Sequence, residues 1–246
     1  MSINPKNMLN NNKNLNKRVD VDKINVDNVS VEDLTFNGSN YDEYINLVSL
    51  LEVVSSCQIS DAYLQVSNRS PVINNIKPIN NKKVWGSVFT AETTSDDWGT
   101  SAIAIDEADP GDVIVFKVDD TDKAIWGELA SISAQKKGIK ATVIYGSARD
   151  RDALLYMDYP VFASDYCPNA GSALGLGNVR IPLEIKNVKI NLGDFLFGDE
   201  NGVIVIPKQL FKDTMIQTLN VKIKEGKIID LLNSQLNLAQ ITGLKK

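Results

Sequence analysis

The chain of 246 residues contains no histidine. That absence removes every Ser-His-Asp and Cys-His site, every HExxH zinc site and every imidazole proton shuttle. Cysteine is nearly as scarce, with Cys57 and Cys167 alone. Two thiols cannot make a four-cysteine zinc site, and they stand too far apart to suggest a disulfide framework, so a reducing compartment is expected. An excess of basic charge is missing as well. The 26 Lys and Arg stand against 31 Asp and Glu, a net charge of −5. General nucleic-acid binders are usually basic, so no nucleic-acid partner is expected. There is no run of 18 apolar residues, no apolar stretch at the N-terminus of the kind a signal peptide carries, and no Walker A sequence. No membrane association is expected, and the cytoplasm is the expected location. What remains is an ordinary composition, 43% hydrophobic and 23% charged. A chain of this length buries roughly 70–75% of its unfolded surface and needs neither disulfide nor metal to fold.

The first forty residues differ from the rest. Asn4, Asn7, Asn10, Asn11, Asn12, Asn14 and Asn16 crowd a polar start with little apolar surface to bury. Residues 1–40 are therefore expected to form a mobile tail rather than an interaction arm. Within it, Val19 to Val31 alternates Val or Ile with Asp or Asn, which suits either an edge strand or a biased tail. Residues 41–208 form the expected main domain, and 209–246 a C-terminal helical segment.

Apolar spacing at Ile45, Val48 and Leu51 predicts a helix from Tyr41. A second short helix over SSCQISDAYLQV has Ser60 or Asp61 as its candidate cap. KKVWGSVFTAET and GDVIVFKVD read as strands, with a short helix between them closed by the Pro110-Gly111 turn. Ala124 to Lys137 reads as a helix stopped by Gly138. Ala141 to Gly146 is a buried strand by its continuous β-branched run, and a helix follows SARD. YPVFAS and the stretch from Val188 to Pro207 read as strands, with turns at Leu192-Gly193 and Asp199 to Gly202. A last helix is expected from near Pro207 to about Ala239, interrupted at Gly226. This order predicts a layered α/β domain.

Four local features compete as sites. In AIWGELAS, Gly127 opens a helix whose first-turn amides, on Glu128, Leu129 and Ala130, suit a small carboxylate; a plain helix start at a tight turn explains the same residues. In YGSARDRD, a buried strand leads to Arg149, which can clamp a carboxylate, and Asp150, whose hard oxygens suit Mg²⁺ or Mn²⁺. A solvated charge run is the plain alternative. Asp199, Glu200 and Asn201 ahead of Gly202 read as a turn. PNAGSALGLGN lacks the third glycine and the flanking strand and helix of a dinucleotide loop, which excludes that site.

Taken in order, SSCQISDA, PGDVIVFKVD, AIWGELASISAQKKGIKATVIYGSARD, YPVFAS and GDENGVIVIPK resemble the RraA-like family. Its members include 4-hydroxy-4-methyl-2-oxoglutarate aldolases with oxaloacetate decarboxylase activity, and regulators of ribonuclease E. The resemblance runs from Ser55 to Lys208. Catalytic members share an acidic residue, twenty intervening residues and then Arg-Asp, a spacing that Glu128 and Arg149 match. The resemblance implies an α/β/β sandwich of the swivelling phosphohistidine-domain type with a C-terminal helix, assembled as a homotrimer or hexamer. It implies a divalent metal at Asp150, usually Mg²⁺, and a small 2-oxo acid between Gly127–Ala130 and Arg149. Arg149 then binds the carboxylate and polarises the keto oxygen, and Glu128 takes the place of the family's acidic residue, usually Asp. Glu225, on the C-terminal helix of a neighbouring subunit, is the candidate for a further acid. Two departures bear on the substrate: Tyr145 stands where an Asp often precedes the glycine, and Asn201 replaces a common Asp.

The implied activity is that of a metal-dependent lyase, an aldolase or decarboxylase acting through a pyruvate enolate. The alternative is a non-catalytic regulator that binds and inhibits another enzyme, such as a ribonuclease. Leu210, Phe211, Met215, Leu219, Ile228, Ile229, Leu231 and Leu232 give the last helix more apolar surface than one domain needs, which suits a subunit contact. Packing on its own sheet is the alternative.

Overall fold

The computed structural model of the chain describes residues 19–35, 38–234 and 236–244. Two helices, α1 (Tyr41–Val53) and α2 (Ser56–Ser67), precede two short strands, β1 (Val72–Ile73) and β2 (Lys77–Pro78). Strands and helices then alternate: β3 (Val84–Thr93), α3 (Gly99–Glu107), β4 (Asp112–Val118), β5 (Ala124–Trp126), α4 (Glu128–Lys137), β6 (Ala141–Ala148), α5 (Arg151–Tyr156) and β7 (Val161–Tyr166). The strand-rich end holds β8 (Asn178–Val179), β9 (Leu183–Ile185), β10 (Val188–Ile190), β11 (Phe195–Asp199) and β12 (Gly202–Ile206). Two helices close the chain, α6 (Phe211–Asn233) and α7 (Leu238–Ile241).

Strands β3, β4, β6 and β7 lie side by side in parallel, as helical crossovers require. Antiparallel strands extend both edges, giving the order β1-β12-β11-β3-β4-β6-β7-β2. The two ends of that order are joined by residues 74–76 alone. Such a link spans at most about 14 Å, so the sheet is rolled until its edges meet. Gly198 on β11 shows the closure: a Cβ there would lie 2.8 Å from the Phe162 ring on β7.

Both faces of the central strands are buried, which explains their unbroken apolar runs. Val113, Val115 and Val143 point into the roll with Phe162, Leu196 and Val205. Their neighbours Ile114, Phe116 and Ile144 point out, against Ala104, Trp126, Ala134 and Leu154 of the α3–α5 side. On the other side, Phe195, Phe197, Ile204 and Ile206 meet α1, α2 and the start of α6. The layered α/β organisation is thus present as a large mixed sheet flanked by helices.

Several expectations are corrected. Residues 19–35 are neither edge strand nor tail. They form two short 3₁₀ turns, Val21–Lys23 and Val31–Leu34, and bury Ile24, Val26, Val29, Val31 and Leu34 in the core beside α1. The Val/Ile content that suggested a strand is instead used one side chain at a time, with Asp33 capping the second turn through Ser30 N at 2.7 Å. The Asn-rich residues 1–18 lie outside the described residues. Helix α2 is capped by Ser55, not Ser60 or Asp61, through a reciprocal pair with Gln58. Ala124–Trp126 is strand rather than helix, because it pairs with the end of β6. Helix α6 runs unbroken through Gly226 and ends at Asn233, since one glycine costs only about 1 kcal/mol in a helix of this length. Its first half packs on the domain, whereas Ile229, Leu231 and Leu232 are 56, 41 and 40% exposed in the single chain. Among the described residues no single helix is long and apolar enough to cross a membrane.

Two glycine substitutions test this packing in opposite directions. Gly226→Ala meets nothing within 4 Å and should stabilise the chain by about 0.5–1 kcal/mol. Gly198→Ala should destabilise it by about 1–3 kcal/mol through Phe162. Urea unfolding midpoints in the reverse order would contradict the continuous helix and the closed roll.

Candidate active site at the end of β6

The last residues of β6 pair with β5, Ala148 opposite Trp126, and Arg149 N donates to Trp126 O at 2.9 Å. The chain then turns sharply, with Asp150 in the left-handed region at φ 55°, a conformation Asp tolerates better than most residues. The turn sends the Asp150 carboxylate back to the start of α4. Its Oδ2 accepts from Glu128 N at 3.1 Å and lies 3.8 Å from Arg149 Nε. Gly127 is needed here for space rather than for conformation. Its φ of −164° is ordinary extended backbone, but a Cβ would fall on Asp150 Oδ2.

The start of α4 offers further donors. The first helical bond runs from Ser131 N to Gly127 O at 3.1 Å, so the Leu129 and Ala130 amides have no acceptor within the helix. They open, with Gly127, Arg149 and Asp150, onto one cleft of about 300 Å³. The opposite wall comes from α3 and β5 and includes Trp98, Ile105 and Trp126. Electrostatically the cleft joins a guanidinium to a helix N-terminus, a setting that favours a small anion.

The structure therefore brings together Gly127, Leu129, Ala130, Arg149 and Asp150. Glu128 joins them through its amide only; its side chain is exposed and does not line the cleft. Glu225 does not line the cleft of its own chain and instead accepts from Gln58 Nε2 of α2. Tyr145 is a correction. It alternates with Ile144 and so packs against the apolar residues inside the roll, away from the cleft. A changed residue there does not reshape this pocket directly. Asn201 sits in the β11–β12 turn and donates to Asp199 from N at 2.9 Å and Nδ2 at 3.2 Å. Asp199 also accepts from Ser56 N at 2.8 Å and Oγ at 2.7 Å, anchoring α2. Burial alone would raise its pKa, but these bonds hold it below the usual carboxylate range.

Sequence reasoning missed the residue that holds the far wall. Asp97 is 2% exposed. Its Oδ1 accepts from Gly99 N at 2.8 Å, Leu174 N at 3.0 Å and Gly175 N at 2.8 Å. Its Oδ2 accepts from Thr100 Oγ1 at 2.7 Å and Leu176 N at 2.8 Å. The glycine-rich stretch is thus tied to the start of α3. Burial pushes the Asp97 carboxyl up, but the Thr100 hydroxyl and the amides of Gly175, Leu176 and Gly99 outweigh it and hold it well below the usual range. The Asp-Trp-Gly-Thr sequence before a helix was the available signal.

Metal fit rests on the donor set. Among the described residues no three carboxylate or thiolate side chains of one chain cluster. Mg²⁺ is commonly held by one or two carboxylates with waters and substrate oxygens. Asp150, beside a cleft for an oxygen-rich anion, fits that kind of site.

A mixed α/β sheet that faces a helix N-terminus with an Arg-Asp turn defines a class, and the comparisons agree with it. Residues 56–205 match the description RraA-like: Aldolase/RraA. The chain is 35% identical over 177 residues to an uncharacterized protein of Methanocaldococcus jannaschii, covering 70% of this chain and 85% of that one. It is 34% identical over 166 residues to a protein of Halalkalibacterium halodurans named "Putative 4-hydroxy-4-methyl-2-oxoglutarate aldolase", covering 67% and 78%. The crystal structure of an uncharacterized protein from Pseudomonas syringae pv. tomato superposes with a TM-score of 0.67 at 28% identity, covering 78% of this chain and 96% of that one. The RNA-processing inhibitor RraA from Thermus thermophilis superposes with a TM-score of 0.55 at 22% identity, over 61% and 92%, a likeness of fold alone. The chain belongs to the RraA-like family.

Asp97 supplies a test of how the wall is held. Its lowered folded pKa means that its stabilisation is complete above the unfolded value, about pH 4, and is lost as pH falls through the folded value. Asp97→Asn should cost about 1.5–3 kcal/mol at pH 7 and clearly less at pH 3. An equal cost at both, read from denaturant unfolding, would contradict an ionised anchor.

Proposed function

We propose that this chain is a divalent-metal-dependent lyase that cleaves or decarboxylates a 2-oxo acid to give pyruvate. The observation that carries the proposal is the convergence of Arg149, Asp150 and the Leu129 and Ala130 amides on one cleft. The name of the Halalkalibacterium halodurans relative supports it.

Arg149 clamps the substrate carboxylate and leans toward the keto oxygen, while the Leu129 and Ala130 amides complete the anion cradle. A divalent cation held at Asp150, Mg²⁺ or Mn²⁺, supplies Lewis-acid polarisation of the keto group when bound. In aldol cleavage a water beside Glu128 takes the proton of the 4-hydroxyl, and the C3–C4 bond breaks. C4 departs as a carbonyl, and the electron pair passes through C3 to the keto oxygen as a pyruvate enolate. Protonation at C3 completes pyruvate. In decarboxylation the same bond breaks and C4 departs as CO₂. Neither path requires histidine. The water beside Glu128 passes the proton on to the Glu128 carboxylate, whose exposed side chain lies outside the cleft lining, and the same water returns it to C3.

We further read the exposed Ile229, Leu231 and Leu232 side chains at the end of α6 as part of the contact of a homotrimer or hexamer in the cytoplasm. In such an assembly Glu225 of one copy approaches the cleft of the next. The second reading is a regulator that binds and inhibits another enzyme, such as a ribonuclease; the Thermus thermophilis protein of similar fold is named an RNA-processing inhibitor. That role needs a surface and no cleft, so Asp150→Ala separates the two by sparing partner binding while ending turnover.

Purified protein with Mg²⁺ should release pyruvate from oxaloacetate or from a 4-hydroxy-2-oxo acid, and EDTA should stop it. Arg149→Lys loses the bidentate clamp and should lower kcat/KM about 10²-fold. Gly127→Ala displaces the Asp150 carboxylate and should do the same. Folded protein without Mg²⁺-dependent turnover on such a panel would refute the lyase.

A further inference from the structure

The two ends of the cleft differ in chemistry. Arg149 and Asp150 stand at one end, and Arg149 is the one cation among the described residues that line the cleft. Beyond them the wall is apolar. Ile105, Ala124 and Trp126 are buried, and Trp98 and Leu129 form the mouth at 41 and 78% exposure. Two of the polar groups of this wall are already occupied by the protein. Trp126 Nε1 donates to Ser131 Oγ at 2.8 Å, and Ser101 Oγ donates to Ile125 O at 2.9 Å. A carboxylate pressed against the Ile105, Ala124 and Trp126 part of the wall loses water and gains no donor. An alkyl group gains about fourfold in affinity for each methylene it buries.

We infer that the cleft takes 2-oxo acids whose carbons beyond the reacting C4 are uncharged and apolar, with Trp98, Ile105 and Leu129 setting that preference. The inference rests on the reading of the site as a 2-oxo acid cleft and adds its substrate class. The next cation along the chain, Arg151, lies 5.2 Å from the Tyr166 ring in an adjoining pocket that shares Arg149 and Asp150. It does not line the apolar wall.

Calorimetric titration of the full chain with Mg²⁺ separates the possibilities, using pyruvate, 4-methyl-2-oxopentanoate and 2-oxoglutarate as probes. The branched acid should bind at least tenfold tighter than pyruvate, and 2-oxoglutarate no tighter than pyruvate. Trp98→Ala should reduce the preference for the branched acid over 2-oxoglutarate by about fivefold, a ratio that simple loss of folded protein does not change. Tightest binding of 2-oxoglutarate, or equal binding of all three, overturns the apolar preference and leaves the 2-oxo acid reading standing. Failure of pyruvate itself to bind removes that reading and the inference with it.

Discussion

The carboxylate of Asp150 joins two parts of the chain that lie far apart in sequence. One oxygen takes the Glu128 amide at the start of α4, and the same oxygen lies near the ε-nitrogen of Arg149 at the end of β6. Everything proposed for the cleft depends on this contact. It sets the angle at which the α4 amides meet the guanidinium. It also accounts for two local costs: a left-handed aspartate, and a glycine that no side chain can replace without moving the carboxylate. Strained or tightly packed backbone of this kind persists only where its surroundings over-determine it.

The surroundings do so here. The rolled sheet buries both faces of β4 and β6, so the end of β6 has little freedom to shift. The other wall is fixed by a second carboxylate, Asp97, which gathers the amides of a glycine-rich loop into the protein. Two aspartates thus frame one cleft by satisfying backbone donors. The difference is solvent. Asp97 is sealed and structural, whereas Asp150 keeps a partly exposed carboxylate toward the cleft.

Much of this was legible in the sequence. The β-branched runs and the Gly138 stop pointed to β6 and the end of α4, and the spacing of Glu128 to Arg149 pointed to two loops that meet at one cleft. Periodicity could not show that Ala124–Trp126 is a strand, because three residues carry no period and the strand exists only through its pairing with β6. It could not show that Val26 and Val29 are core, because irregular segments bury side chains without a repeat. Spacing placed Glu128 at the site but could not tell that its amide, rather than its carboxylate, meets Asp150. The apolar wall was illegible for a different reason. Trp98, Ile105 and Trp126 become neighbours only after the sheet rolls and Asp97 ties down its loop.

The most direct test is a crystal structure of the chain with Mg²⁺ and oxalate, a planar mimic of the pyruvate enolate. The expected result is one oxalate carboxylate within about 2.7–3.2 Å of the Arg149 guanidinium and the Leu129 and Ala130 amides, with the ion beside Asp150. Oxalate bound elsewhere, or an Arg149 side chain turned away from an empty cleft, would contradict the account.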